Sequence, residues 1–524
     1  MLTQSSRRRQ LSRRLTAVLG ASAVLATAAC TGGSDSSGGS SSDGGTGASD
    51  ATIALSIQAQ PASLDPSLLQ EGQQGYIWGS IFDTLLYLDN DGQVQPNAAE
   101  SWEYSEDLKT LTLTLREGMT FTTGDPVTAE AARATLERTR TTAGPLQSRL
   151  ESVTSVEAPD DRTVVIGLDA PDAGLLIALA TGAGVIGDPA TFDAPETALD
   201  PVGSGAYELD DAATSVGSTY VLKRRDDYWN VDAYPFETVT VRVIADATAQ
   251  FNALLGGQLD AGRINPDQEQ QASGAGFTVS DLIPTASATL LLLDRDGAIV
   301  PAMADVRVRQ AINLALDREG FSTALLQGNA QPTEQFFSPQ GPAYVEDLAG
   351  TYDFDPDRAR DLMAEAGYAD GFSMTLPSTV FSTTFEPTVT QALGDIGIDV
   401  TWEPQPPQSN LASIQSGKYP AAFWFEGLDP APRQVQGHYT TDATINPFHT
   451  DFSEIEGLLA DAASTTDEDQ QRDAYQQIGT IAVEEALDAP IAYVGTRWAT
   501  ADGVEYLQNG ANVFSTIRAF GVSS

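Results

Sequence analysis

The sequence predicts an α/β protein, because strand-like and helix-like periodicities alternate along it. Residues 111–115 alternate leucine with threonine, which is typical of a half-buried strand. Residues 354–368 are amphipathic, with Asp355 as the N-cap, Pro356 in the first helical position and Gly367 ending the helix. Helices that alternate with short strands pack as layers, which is the α/β arrangement.

Further elements can be placed from local patterns. Residues 51–56 alternate as a short strand, and Asp91-Gly92 marks a hairpin-like turn after a helical stretch that we expect to end at 85–88. Thr128 is expected to cap a helix that has an acidic first turn. A helix that starts near 306 is expected to run to Gly320.

Composition excludes several classes of function. Lys and Arg total 28 against 72 Asp and Glu, a formal net charge of −44 that repels nucleic acid and anionic membranes. A single cysteine allows no intrachain disulfide and no cysteine metal motif. The two histidines, His438 and His449, have no GxSxG motif beside them and too few further ligands for nickel or haem. We therefore expect no metal site, and most histidine-based catalytic schemes are excluded.

The N-terminus has the organisation of an export signal. Residues 1–14 carry five arginines and no acid, and residues 15–29 are uncharged and mostly apolar. This apolar run is too short to span a bilayer. We interpret residues 1–29 as a signal peptide, whose removal would change the net charge from −44 to −49. The arginine run at 7–9 leaves both general secretion and twin-arginine export open.

Cys30 follows that signal directly. The stretch Thr27-Ala28-Ala29-Cys30 resembles the bacterial lipobox, which implies that Cys30 is acylated and becomes the first mature residue. The alternative is a buried free thiol. Residues 31–50 contain no large apolar side chain, so residues 30–50 are predicted to be a lipid-anchored flexible tether.

A series of short landmarks extends over about 450 residues of the remaining chain. Turns and helix ends dominate them: LDP (64–66), FDTL (82–85), AESW (99–102), LREG (115–118), GDPVTAE (124–130), VEAPD (156–160), PVGSGAY (201–207), RDDYW (225–229), ALLGGQLD (253–260), DVRVRQAI (305–312) and AEAGY (364–368). In this order they resemble the peptide/nickel-binding family, family 5, of extracellular solute-binding proteins of ABC transporters. The resemblance implies a bilobal fold like that of type II periplasmic binding proteins, with an extra inserted subdomain and a hinged cleft.

The same resemblance implies a domain organisation. Lobe I would be discontinuous and lobe II continuous, with the family-specific subdomain inserted into lobe I. The expected boundaries are 51–87, 188–285 and 493–524 for lobe I, 88–187 for the inserted subdomain, and 286–492 for lobe II.

The candidate ligand-binding stretch is AAFWFEGLDPAPR, residues 421–433. An apolar run that ends abruptly in acidic residues predicts a buried strand that delivers a carboxylate into a loop. In peptide-binding relatives the corresponding segment resembles W-x-x-D followed by D-P, and its first Asp pairs with the peptide amine. Trp424 and Asp429 match this pattern, and Phe425 lies between them. Because the segment is one residue shorter here, either Glu426 or Gly427 occupies the amine-binding place, and a solvated loop is the alternative.

Three further residues are candidates for the cleft. Tyr76 and Trp78 could line the side of lobe I, although their spacing also suits ordinary core packing. Arg433 could bind a ligand carboxylate, or it could lie on the surface.

The function implied by the resemblance is transport, which needs no catalytic residues and no cofactor. We expect a monomeric, lipid-anchored receptor that captures oligopeptide or dipeptide-like solutes and delivers them to an ABC permease with its ATPase subunits. Alternatives are another solute, such as an opine, an oligosaccharide or a nickel chelate; a secreted hydrolase that uses paired carboxylates; and a surface protein for adhesion or signalling.

Overall fold

The fold is described for residues 51–406 and 409–523 of a computed structural model. The predicted signal peptide, Cys30 and the tether lie outside these residues. The strands are β1 Ala51–Ile57, β2 Leu86–Leu88, β3 Val94–Pro96, β4 Ala99–Tyr104, β5 Thr110–Leu115, β6 Val153–Glu157, β7 Thr163–Leu168, β8 Tyr207–Leu209, β9 Thr219–Arg224, β10 Phe236–Val243, β11 Ala261–Ile264, β12 Thr278–Val279, β13 Ile283–Leu292, β14 Ala330–Pro332, β15 Phe372–Ser378, β16 Ile398–Pro404, β17 Ala421–Gly427, β18 Ala489–Thr500, β19 Val504–Tyr506 and β20 Phe520–Val522.

The described residues also form α-helices, with short 3₁₀ turns between some elements. The helices are α1 Gly75–Ile81, α2 Ala129–Thr141, α3 Leu175–Leu179, α4 Ala247–Leu255, α5 Glu269–Gly274, α6 Val306–Leu314, α7 Arg318–Leu325, α8 Pro356–Glu365, α9 Glu386–Gly394, α10 Asn410–Ile414, α11 Ala431–His438, α12 Ser453–Ala463 and α13 Glu468–Glu484. None of the helices in the described ranges is both long and apolar enough to cross a membrane.

Most of the locally predicted elements are confirmed. The strands predicted at residues 51–56, at residues 111–115 and in the stretch 421–433 correspond to β1, β5 and β17. The Thr128 side chain accepts a hydrogen bond from Ala131 N at the start of α2. Asp355 likewise caps α8 through Arg358 N, and Gly367 beyond its end has a φ of 90°, which favours glycine.

Two helix ends were predicted wrongly. Residues 86–88 form strand β2 rather than the end of a helix, because the turn at Gly92 (φ 74°) brings β3 back to pair with them. The helix that starts at Val306 ends at Leu314 rather than Gly320. Asp317 accepts a hydrogen bond from Gly320 N and so caps a separate helix, α7.

The described chain has two halves, the first built around residues 53–241 and 498–520 and the second around residues 288–492. One four-stranded sheet belongs to the first half, and one six-stranded sheet extends from the first half into the second. The first sheet has the strand order β1-β10-β9-β8, with β1 parallel to β10. The second sheet has the order β11-β18-β13-β17, and β12 and β14 also pair with β18. A further antiparallel sheet, β4-β5-β7-β6, lies within residues 99–168.

The hydrophobic interior is divided in the same way. The first core joins residues 53–241 with Ala261, Ile283 and residues 498–520, so it is built from both ends of the described chain. The second and third cores use only residues 288–492. Strand β13 separates these two, because Leu290 and Leu292 face the second core while Leu291 and Leu293 face the third. A strand buried on both faces explains the unbroken apolar run there.

Strands β13 and β18 connect the two halves. Ile283 on β13 and Trp498 on β18 belong to the first core, whereas the other ends of both strands lie in the second. The strands run antiparallel with register breaks at Pro284/Ala286 and Ala288/Thr289. The expected lobe boundaries at 285/286 and 492/493 fall within these two strands.

Candidate functional site

A cavity of about 530 Å³ lies where the first core faces the third. Its wall on the first side includes Trp102, Tyr104 and Leu176. Its wall on the other side includes Leu428 and Tyr475. Apolar surface from both sides with a few polar groups is the usual character of a small-ligand site between domains.

The charged residues that line the cavity are mostly acidic. They are Asp91, Asp172, Asp429 and Glu468, with Arg472 as the basic residue. Arg472 is paired with Asp469, at 2.6 Å between Nη1 and Oδ1. The lining therefore favours a ligand that carries positive charge.

Asp429 reaches the cavity because of the local fold between β17 and α11. Strand β17 ends at Gly427, and Leu428 N then donates to Thr285 O at 3.1 Å. Pro430 follows as the N-cap of α11, and Pro432 lies in the first turn of that helix, where a proline is well accommodated. The Asp429 side chain thus projects from a loop fixed on both sides.

The carboxylate of Asp429 is free of contacts with the charged and hydrogen-bonding groups of the described residues. Over residues 51–406 and 409–523, it accepts no hydrogen bond and has no ion-pair partner within 4 Å. The side chain is solvent-accessible in the cavity, yet the surrounding walls remove enough hydration to raise its pKa. The positive charges of Arg433 and Arg149 oppose this effect, and Glu426 and Glu71 reinforce it.

Glu426 has a different environment. Its Oε1 lies 3.3 Å from Nε2 of His438, and that histidine is buried with its ring centroid 4.7 Å from that of Phe336. Glu426 is not among the cavity-lining residues of the described chain, and the neighbouring Gly427 is exposed. The place of either residue in amine binding stays a prediction.

Trp424 and Phe425 lie on opposite faces of β17. The Trp424 ring meets Phe381 edge to face at 5.1 Å, and Phe425 packs against Phe385 and Phe423. Within the described residues neither contributes to the cavity wall. Both support the strand that carries Asp429.

Tyr76 and Trp78 are buried in the first core. The Tyr76 ring packs against Trp498 and Phe520, and Trp78 Nε1 donates to Gln70 O at 2.8 Å. Neither side chain is among the described residues that line the cavity.

Arg433 lies just behind the cavity wall. Its Nη1 is 3.7 Å from Oε2 of Glu71, and its guanidinium carbon is 6.0 Å from the centre of the Phe514 ring. Burial lowers the pKa of Arg433, and Glu71 raises it. The structure therefore brings Asp429 and Arg433 into one charged neighbourhood, and places Tyr76, Trp78, Trp424 and Phe425 in supporting structure.

Several cavity residues were not found from the sequence. Asp172 lies close enough to Tyr104 and Tyr475 to contribute to the raised pKa of each phenol, although all three come from distant segments. Asp172 is itself held by Ser152 Oγ at 2.6 Å and Gly174 N at 2.8 Å. The only local signal was the pair of aromatic residues on one face of β4, Trp102 and Tyr104.

No metal site is indicated in the part of the chain that the structure describes. No group of three or more His, Cys, Asp or Glu side chains is arranged to hold an ion there.

Two halves joined by crossing strands, with a ligand-sized cavity between them, define a bilobal solute-binding protein of the periplasmic-binding-protein type. The chain belongs to the bacterial extracellular solute-binding proteins, family 5, whose middle-region model matches residues 93–445. It is therefore an extracytoplasmic substrate-binding component of an ABC transporter that works with a permease, and not an enzyme. The predicted family and fold class are confirmed.

Individual relatives are distant. The glutathione-binding protein GsiB of Shigella dysenteriae is 26% identical over 469 residues, covering 84% of this chain and 88% of that protein. HbpA2 of Haemophilus parasuis has a TM-score of 0.80 at 19% identity, covering 90% of this chain and 100% of that one. DppA of Helicobacter pylori in complex with the peptide STSA has a TM-score of 0.69 at 21% identity, covering 90% of this chain and 98% of that one. These two structures establish the fold alone.

Proposed function

We propose that this protein captures oligopeptide or dipeptide-like solutes by their free amine and delivers them to the permease while anchored to the membrane by lipid on Cys30. The observation that carries the solute class is the carboxylate of Asp429, which lies on the wall of the cavity between the two halves and has no partner among the described residues. An ammonium group is the natural complement of such a carboxylate, because pairing offsets the hydration that the cavity walls remove.

The surroundings of Asp429 support an amine in preference to other groups. The excess of acidic residues on the cavity wall attracts a cation. A volume of about 530 Å³ is within the range that encloses a small solute. The glutathione-binding relative is consistent with a peptide-like ligand.

The proposal is tested by calorimetry with tri-alanine and glutathione, each compared with its N-acetylated form. We expect the free amines to bind and the acetylated forms to bind at least about tenfold more weakly, since acetylation removes a charge-assisted hydrogen bond. Asp429→Asn should weaken binding of the free amines by about 10- to 100-fold. Asp370→Asn, a matched change at an exposed site on the loop before β15, should leave affinity unchanged.

Two results would contradict this assignment. Equal binding of free and acetylated peptides would remove the amine from recognition, and unchanged affinity in Asp429→Asn would remove Asp429. Glu426→Gln belongs in the same series, because a loss confined to that variant would move the amine to the strand position predicted from the family pattern.

The lipid anchor has its own test. Mass spectrometry of the membrane fraction should find a diacylglyceryl group on Cys30, and Cys30→Ser should release the protein from membranes. Membrane retention of Cys30→Ser would contradict the anchor and leave the solute proposal untouched.

A further inference from the structure

A charge cluster joins the two halves next to the cavity. Glu71, in the loop before α1, places Oε2 3.2 Å from Arg149 Nη2 and 3.7 Å from Arg433 Nη1. Arg149 belongs to a 3₁₀ turn of the first half, whereas Arg433 belongs to α11 of the second. A single carboxylate oxygen therefore forms ion pairs with two guanidinium groups, one from each half of the molecule.

The pairing leaves much hydrogen-bonding capacity unused. Both terminal nitrogens of Arg433, the Nε of Arg149 and the Oε1 of Glu71 are buried without a hydrogen-bond partner among the described residues. The Arg433 side chain is only 12% exposed. Buried, unsatisfied guanidinium donors are unfavourable, and a carboxylate that binds them in a bidentate manner is their best complement.

The cluster is also adjacent to the space where a solute would lie. Asp429, Pro432 and Gln434 line the cavity on either side of Arg433 in the sequence, and Phe514, which Arg433 faces, lines it too. The positive charges of Arg149 and Arg433 act on each other and on Asp429. Without Glu71, two like charges would lie together, and an incoming anion would compensate them.

We infer that Glu71 is an internal carboxylate that occupies Arg149 and Arg433 in the solute-free protein and is displaced by a carboxylate of the solute. This inference rests on the proposed function, and it narrows the solute class to zwitterions: the amine pairs with Asp429 and the carboxylate with the two arginines. Glu71 then determines specificity, because only a solute whose anionic group competes with it gains access to the arginines.

The first test compares tri-alanine with its C-terminal amide by calorimetry. Wild-type protein should bind the acid more tightly than the amide. Glu71→Gln should bind the acid about tenfold more tightly than wild type does, with the amide unchanged, because the internal competitor is gone. Arg433→Gln and Arg149→Gln should each weaken binding of the acid alone. Glu130→Gln, which breaks the exposed ion pair with Arg133 on α2, is the control. It should leave the affinities for both the acid and the amide unchanged.

A second test needs no peptide, so it separates failure of this inference from failure of the proposed function. Glu71→Ala should lower the thermal unfolding midpoint of the full chain, and acetate should restore it relative to chloride at equal ionic strength. The double variant Glu71→Ala/Arg433→Gln should not respond to acetate. An effect of acetate on the unfolding midpoint that persists in the double variant would overturn the inference. So would a Glu71→Gln variant whose affinities for the acid and the amide change by the same factor.

Discussion

Asp83 carries a carboxyl group inside the first core, where burial raises its pKa from 3.8 to about 6. Tyr228 opposes the shift by donating its hydroxyl to Oδ1 at 2.6 Å, while Oδ2 has no hydrogen-bond partner in the described chain. The folded state therefore holds a proton on Asp83 more tightly than the unfolded chain does. The resulting stability is present below about pH 4 and is lost as the pH rises through about 6.

Replacing Asp83 with Asn should remove this pH dependence. The free energy of unfolding near pH 8 should rise by up to about 3 kcal/mol relative to wild type, because two pKa units correspond to roughly that energy. Thermal unfolding between about pH 4 and 8 measures the effect, with Asp370→Asn as the exposed control. A variant whose stability falls with pH as steeply as that of wild type would show that another group is responsible.

Arg318 is a buried cation in the second half, and no carboxylate of the described residues lies within hydrogen-bonding distance of it. Its guanidinium donates to the carbonyl oxygens of Thr333, Pro490, Asn313 and Tyr352, and to Asn313 Oδ1. Burial lowers its pKa to about 10. One side chain thus joins α6, α7, β18 and two loops.

Substitution of Arg318 should strongly destabilise the folded protein. Arg318→Gln leaves several buried carbonyl groups without donors, and we expect a loss of roughly 3 kcal/mol or more in unfolding free energy. Chemical denaturation measures it. Arg360→Gln, which breaks an exposed pair with Asp357 on the surface of α8, should cause little change. Similar losses in both variants would argue against the buried network.

At the scale of single residues, the sequence predicted the segment that carries the candidate site. It did not predict which side chain of that segment faces the cavity. Asp429 follows a strand and precedes a proline, and both features are visible locally. Glu426 at the end of β17 contacts His438 at the end of α11. Sequence patterns within a single strand or helix cannot predict a contact between two different elements.

At the scale of elements, the connection between β13 and β18 is unusually tight. A Cβ added at Gly495 would lie 1.7 Å from the carbonyl oxygen of Ile283, beside the register break at Pro284/Ala286. Since the obstacle is backbone, it cannot move as a flexible side chain does.

Gly495→Ala should therefore destabilise the protein by about 1–3 kcal/mol or more. The comparison is Gly457→Ala in α12, where a new Cβ meets nothing within 4 Å and alanine favours the helix. Thermal unfolding of both variants gives the result. A neutral Gly495→Ala would mean that the strands can separate at little cost.

Elements with strong local signals were predictable from sequence. Capping residues determine the starts of α2 and α8, because the hydrogen bond that an N-cap side chain accepts from the backbone lies within four consecutive positions. The end of α6 was missed since Asp317 competes for the same chain by capping α7. Strand β2 was missed because its partner, β3, decides its conformation.

At the scale of the whole molecule, the net charge of −44 dominates the surface. Like charges repel one another in the compact state, and salt screens them over about 10 Å at 0.1 M. The unfolding midpoint should therefore rise as salt is added. Sodium and choline chloride should act alike, and a response to sodium alone would indicate specific ion binding instead of screening.

The cavity wall shows why the complete site could not be derived from sequence. Asp172 precedes both Glu468 and Phe514 by about 300 residues or more, and these side chains meet only after the two halves have formed. The bilobal arrangement itself was predictable because the landmarks of the family occur in order.

The division of the cores has a consequence for the order of folding. The second and third cores use one continuous stretch, residues 288–492, whereas the first core needs Trp498 and Phe520 to complete what Ile53 begins. A chain that emerges N-terminus first can thus finish its later half before its earlier one. The first half cannot be completed until these C-terminal residues are available, and part of its apolar surface stays uncovered until then. Closure over such a long stretch of chain is slow, and the uncovered surface is prone to aggregation. Export that releases the chain before residue 520 would then yield one finished half and one that cannot close.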